Sequence, residues 1–336
     1  MCGVPWITWA FLSFRQANKM KKNITSILLP ILLTALVSCA SKAPSKHTAH
    51  VAEQARMFWR IDGVDAAGNP STVYIQGTIH VGDKRLYPLA PSVLEAWNSA
   101  DRIVGEISTA DWAKFQNELQ NRMRESVRSA RGRRISDSLT SEQTGALYSV
   151  LGKAEAEQTD LFEPWVTNLA LQSAVYTNSG LSAEQGLDGQ FMLLSYRQNR
   201  EMEGLDDLET QFDVLAFGTY DEQLTMLQDV LDDIAGANDI EQFVRKLYDA
   251  YLTDDAASLD ALLKESYRID GEPAAKAALY TAYYAKTFTE RNRAWAEKIA
   301  AWLSEGGTTF IFAGAGHFIG ADSVFSYLRK NGTLAR

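Results

Sequence analysis

"STVYIQGTIH", Ser71 to His80, alternates polar with β-branched and aromatic side chains and ends in a Gly-x-x-His frame, "GTIH". Such a run reads as a strand, and "RMFWRIDG" before it, joined through the turn-rich "VDAAGNP", makes the pair a hairpin. The frame returns near the other end of the chain as "GAGH", Gly314 to His317, where the run "TTFIFAGAG" closes. Between the two ends, "PSVLEAWNSA" reads as a short helix opened by Pro91, and "RIVGEI" as a brief buried strand ending at Glu106. From Ala110 to about Tyr284 the periodicity is helical, with N-caps expected at Thr140 or Ser141 and at Ser182, and with "EMEGLDD" as a candidate third core strand. A helix through "ERNRAWAEKIAAWLSEGG", stopped by two glycines, precedes the last strand, and "GADSVFSYLRKNG" closes the chain as a helix. The expectation is a mixed α/β (α+β) domain over residues 55–336: one sheet built from both chain ends, covered by a large helical insertion at about 110–284.

The chain has four histidines, and two of them, His47 and His50, fall in the small, polar stretch "ASKAPSKHTAHVAEQ", which reads as a tether. The globular part therefore has two, His80 and His317, both in Gly-x-x-His. Ligands of open α/β sheets bind beyond the carboxyl ends of the strands, where His80, Glu106 and His317 all stand. Two imidazoles and a carboxylate are a common minimal set for a divalent transition metal. Taken singly, each histidine reads equally as a structural residue, and Glu106 as a helix cap or an arginine partner. The shared frame and shared position favour a site. Gly77, Gly314 and Gly316 are expected to let the backbone turn sharply and to admit a ligand closely. By pattern alone Asp188 in "QGLDGQF" and Asp206 in "EGLDDLETQ" are helical surface acids, and Arg291 and Asn292 a solvated helix face. Tyr283, Tyr284, Trp295 and Trp302 read as core or groove packing. There is no Ser/His/Asp order, no Gly-rich phosphate loop and no catalytic cysteine.

"MKKNITSILLPILLTALVSCAS", from Met20, has the basic start, short apolar stretch and small-residue close of an export signal, so residues 1–38 are expected to be removed and 39–54 to form a tether. "LVSC" resembles a bacterial lipobox, which makes Cys39 the lipidation site, carrying fatty acyl chains such as palmitate. Loss of the signal removes four basic residues and no acid, taking the net charge from −9 to −13 and excluding a nucleic-acid partner. Ala40 after the cysteine resembles signals for the outer membrane, so the expected location is the bacterial cell envelope, lipid-anchored and facing the periplasm.

Over roughly Met57 to Asn331 the chain resembles the TraB/GumN (PrgY-like) family, whose members include the Tiki metalloproteases. The resemblance rests on "YIQGTIHVGDKRLYPL", "IVGEI", "GLD" at Gly186 to Asp188, "EGLDDLETQ", "ERNRAWAEKI" and "FAGAGHFIGADSV". It implies a fold related to the erythromycin-esterase and ChaN-like proteins. It also implies a site holding a divalent metal (Mn, Co, Zn or Fe) on His80, Glu106 and His317, with Arg291 and Asn292 nearby. With the lipobox at Cys39, the function expected is a lipid-anchored, metal-dependent hydrolase, a peptidase acting on a peptide or protein. The alternative is a non-enzymatic envelope protein that binds haem, iron or a peptide.

Overall fold

The computed structural model describes residues 55–236, 239–268 and 273–335. The export signal, Cys39 and the tether lie outside the described residues. Strands β1 (Phe58–Val64) and β2 (Pro70–Thr78) form the expected antiparallel hairpin, with Phe58 opposite Gln76 and Val64 opposite Pro70. Helix α1 (Pro91–Ser99) and strand β3 (Arg102–Gly105) follow. Then come α2 (Thr109–Ser129), α3 (Ser141–Leu151), α4 (Lys153–Thr159), α5 (Pro164–Asn178), α6 (Leu187–Gln198) and strand β4 (Met202–Gly204). The middle continues through α7 (Leu208–Leu215), α8 (Tyr220–Ala235), α9 (Ile240–Leu252), α10 (Ala256–Ser266) and α11 (Ala274–Tyr284). Last are α12 (Glu290–Glu305), strand β5 (Gly307–Gly314) and α13 (Val324–Lys330).

The sheet order is β1-β2-β5-β3-β4. β5, from the end of the chain, pairs parallel with β2 from its beginning, placing Thr78 across from Gly314. β3 pairs parallel with β5 on one side and with β4 on the other. The sheet is thus built from both ends of the chain, and the helical middle contributes the three-residue edge strand β4. The central strands are apolar on both faces because both are covered: Val73, Ile75, Phe310, Ile311 and Phe312 have no exposed surface. On one face Trp97 of α1 and Phe191 of α6 pack on Phe310 and Phe312, with ring centroids 5.2–6.3 Å apart. On the other, Val73, Ile75 and Ile311 meet Trp295 and Ile299 of α12 and Val324 and Leu328 of α13.

The caps follow local chemistry. Thr140 opens α3 through a reciprocal capping box with Gln143. Gly306 and Gly307 stop α12 at φ 92° and 77°, a region that L side chains rarely enter. Ser182, expected to cap a helix, makes no side-chain cap bond; a short 3₁₀ turn follows it, and α6 begins only at Leu187. Gly186, just before α6, lies so close to the strand-end backbone that an added Cβ would stand 2.2 Å from the His80 carbonyl oxygen. Because β2, β5, β3 and β4 run parallel, their carboxyl ends open at one edge. The loops after them carry His80, His317, Glu106 and Asp206.

Candidate functional site

His80 leaves β2 two residues past its end, and its Nδ1 lies 2.7 Å from Asp188 Oδ2 at the start of α6. Thr78 Oγ1 donates to the other oxygen of Asp188 at 2.5 Å. An ionised carboxylate only accepts, so Nδ1 carries the proton and Nε2 keeps its lone pair. His317 follows β5 within a single 3₁₀ turn, and its Nδ1 lies 2.6 Å from Asn292 Oδ1. The Asn292 amide is oriented by its Nδ2, which donates to the Asp322 carbonyl at 2.7 Å, so its oxygen receives the His317 proton and His317 also keeps a free Nε2. The His317 ring is 4% exposed and lies between Trp295 and Phe288, with centroids at 4.2 and 4.9 Å. Burial, and after it the Arg291 charge, hold its pKa well below the usual 6.5.

Glu106, immediately after β3, is held from both sides. Its Oε1 accepts the Gly314 N–H at 2.9 Å, and its Oε2 accepts from Arg291 Nη2 at 2.8 Å and from Gln211 Nε2 at 3.3 Å. Arg291 also joins Asp206, 2.8 Å away, whose carboxylate accepts from Trp295 Nε1 at 2.7 Å and Gln211 Nε2 at 3.0 Å. Burial is the largest influence on Asp206 and pushes its pKa up, despite the opposing donors. Burial opposes the Arg291 charge, but Asp206 and Glu106 outweigh it and raise its pKa. A π-helical segment, Ala285–Thr289, joins α11 to α12, and the Thr287 carbonyl in it accepts from Arg291 Nη1 at 3.2 Å.

His80, Glu106, Arg291 and His317 line one cavity of about 60 Å³ at the sheet edge, with Gly314 and Gly316 in its wall. Gly77, Gly314 and Gly316 have no positive φ, so a left-handed backbone is not what calls for glycine at these positions. They provide space. A Cβ on Gly77 would stand 3.0 Å from Ala315 and Trp59, and one on Gly316 would stand 2.9 Å from Leu263. A Cβ on Gly314 would stand 3.3 Å from His80 Nε2 and 3.4 Å from Glu106 Oε1. The missing side chain therefore leaves a gap between a lone-pair nitrogen and a carboxylate oxygen.

Two readings by pattern are overturned. Arg291 and Asn292 are buried side chains of the site, because the π-helical segment and α12 turn them toward the strand ends. Asp188 and Asp206 are likewise buried, and the two "GLD" segments act alike. In the first, Leu187 N–H donates to the Ile79 carbonyl, one residue before His80, and Asp188 takes the imidazole proton. In the second, Leu205 N–H donates to the Gly105 carbonyl, one residue before Glu106, and Asp206 holds the arginine that holds Glu106. Each glycine allows that close approach to a strand end, Gly186 at the His80 backbone and Gly204 at Ser108. The signal was the repetition of "GLD" itself. Gln211 and Thr78 went unread, since one polar residue at a helix or strand position carries no distinguishing pattern.

Together the fold and the site define a mixed α/β protein with two histidines and a carboxylate gathered at the carboxyl edge of a sheet built from both chain ends. The chain belongs to the TraB/PrgY/gumN family, whose model matches residues 57–336. It is similar to an uncharacterized protein of Treponema pallidum (strain Nichols), 30% identical over 312 residues that cover 93% of this chain and 91% of the relative. No solved structure matches. Among the described residues, no helix is long and apolar enough to cross a membrane.

Proposed function

We propose that this protein is a lipid-anchored, metal-dependent hydrolase of the bacterial cell envelope, a peptidase, with Cys39 as the anchor and the outer membrane as its station. The observation that carries the reading is the pair of imidazoles with Nδ1 committed to Asp188 and Asn292, both lining one cavity beside Glu106. Metal-ligating histidines characteristically give their second nitrogen to such an acceptor, which fixes the ring and its tautomer. The gap at Gly314 supports the same fit, since it lies between His80 Nε2 and Glu106 Oε1. No cluster of three or more His, Cys, Asp or Glu side chains is already gathered for a metal among the described residues. An ion would draw His80 and His317 together through their Nε2 atoms, with Glu106 Oε1 as third donor or as base.

A bound divalent ion supplies Lewis acidity, polarising a carbonyl and acidifying water. The rest is the work of the chain. Asp188 and Asn292 fix the imidazole rings through Nδ1, Arg291 and Gln211 hold Oε2 of Glu106, and its Oε1 would take a proton from water. Trp295 and Phe288 shield His317 from bulk solvent. A cavity of about 60 Å³ suits an ion with a water or two and is too small for a porphyrin, which disfavours the haem-binding alternative. The reading is tested by assaying the full chain on unstructured peptides with Mn, Co, Zn and Fe added singly after chelation. Restored cleavage that His80→Ala and His317→Ala abolish is the expected result. Cleavage indifferent to chelation would overturn it.

A further inference from the structure

We infer that the groove beside His80 is a subsite for an apolar stretch of extended polypeptide, an inference that rests on the peptidase reading and names its substrate class. The reaction cavity, about 60 Å³, has room for a reacting bond and little else, so most of any polymer must lie outside it. A second, mostly apolar groove of about 660 Å³ lies beside the first, and His80 lines both. Its size lies within the range of specific ligand sites, about 300–1,000 Å³.

Met192, Leu193 and Tyr196 of α6 form one wall, and Met202 at the start of β4 faces the same space. Leu193 and Tyr196 leave 38% and 84% of their surface exposed, although α6 has a core on its other side to bury apolar residues. Asn199 and Gln190 also line the groove, and Gln190, whose Nε2 donates to the Glu184 carbonyl at 2.7 Å, has its Oε1 left to accept. They suit the main-chain amides that accompany apolar side chains along a peptide and that an acyl chain lacks. The wall is mechanically joined to the site, because the first turn of α6 carries Asp188, the acceptor of the His80 proton. A chain lying along α6 would thus pass the turn that holds the His80 imidazole. Subsites that bind remote parts of a substrate orient the bond to be broken.

The test uses the full chain in lipid nanodiscs, without free detergent, and two fluorescent ten-residue peptides, one rich in Leu and Phe and one with those positions changed to Ser. Anisotropy should show the apolar peptide binding about tenfold tighter or better, as burial of one or two large side chains implies. The double variant Leu193→Asp/Tyr196→Asp, both positions exposed enough to leave the fold intact, should lose that preference while keeping the metal content of the unaltered protein. Val64→Asp, at another exposed apolar position on the edge strand β1, should leave it unchanged. Equal binding of both peptides, as when a lipid chain or a second copy fills the groove, would overturn the inference. So would a preference that survives the double variant. Selective binding with no cleavage under any metal would refute the peptidase reading and leave the subsite standing.

Discussion

Replacing Arg291 with methionine keeps the length of the side chain and removes the guanidinium that joins Glu106 to Asp206. Both carboxylates lie 2.8 Å from it, and the three residues are 7%, 2% and 9% exposed. Removal of one partner from such a buried group typically costs about 3–5 kcal/mol, because the remaining charge is left without compensation. At roughly 2–4 °C of melting temperature per kcal/mol for a domain approaching this size, the variant should melt about 6–20 °C lower at neutral pH. The loss should depend on pH. Burial already raises the Asp206 pKa in the intact protein, and without Arg291 it rises further. An acid whose folded pKa is raised contributes stability that is fully present below its unfolded value, about 3.9, and is lost as pH rises through the folded value. The variant should therefore approach the unaltered protein toward acid and fall furthest behind at pH 7. Asp206→Asn added to Arg291→Met should recover part of the loss, since one of the two stranded charges is gone. Thermal unfolding followed by circular dichroism at pH 5 and pH 7 reads all three effects. A drop smaller than about 1 kcal/mol at pH 7, or one of equal size at both pH values, would refute the reasoning.

Gly314→Ala should fold nearly as well as the native chain, since φ −49° and ψ 127° suit alanine. Its methyl group would fill the gap between His80 Nε2 and Glu106 Oε1, so metal binding should fail while the melting temperature stays within a few degrees. Asp188→Asn, which keeps the shape but removes the charge facing His80, should weaken metal binding about 10–100-fold, as read by titration. The depressed His317 pKa gives stability that is present above the unfolded value of about 6.5 and lost as pH falls through the folded value. His317→Gln should flatten that acid limb in a plot of melting temperature against pH, and an unchanged limb would assign it to other groups.

The two-ended sheet was legible because its strands are short, β-branched and bounded by turn residues, signals that survive in a single sequence. β4 was legible as well, though only as a candidate, for three residues hold too little pattern to stand alone. His80, Glu106 and His317 were found through position: each closes a strand, and parallel strands share an edge. What pattern misread was burial on α12. Arg291 and Asn292 are polar residues at consecutive positions, which periodicity assigns to solvent, yet they are buried against Glu106, Asp206 and His317 as satisfied partners. Periodicity reports polarity, and a paired polar residue is as buried as a leucine. The glycines were legible in part. Gly314 and Gly316 were read as giving a turn and a close approach; neither has a positive φ, and the atoms that need the room come from segments distant in sequence.

The central claim is that His80 and His317, from opposite ends of the chain, hold one ion between them. Metal analysis of the full chain after dialysis, paired with His80→Ala and His317→Ala, tests it most directly. The account predicts about one divalent transition ion per chain in the unaltered protein, lost in either variant, together with a melting temperature that falls on chelation in the unaltered protein alone. A protein that retains no ion under any loading condition, or one whose ion survives the removal of either imidazole, would contradict it.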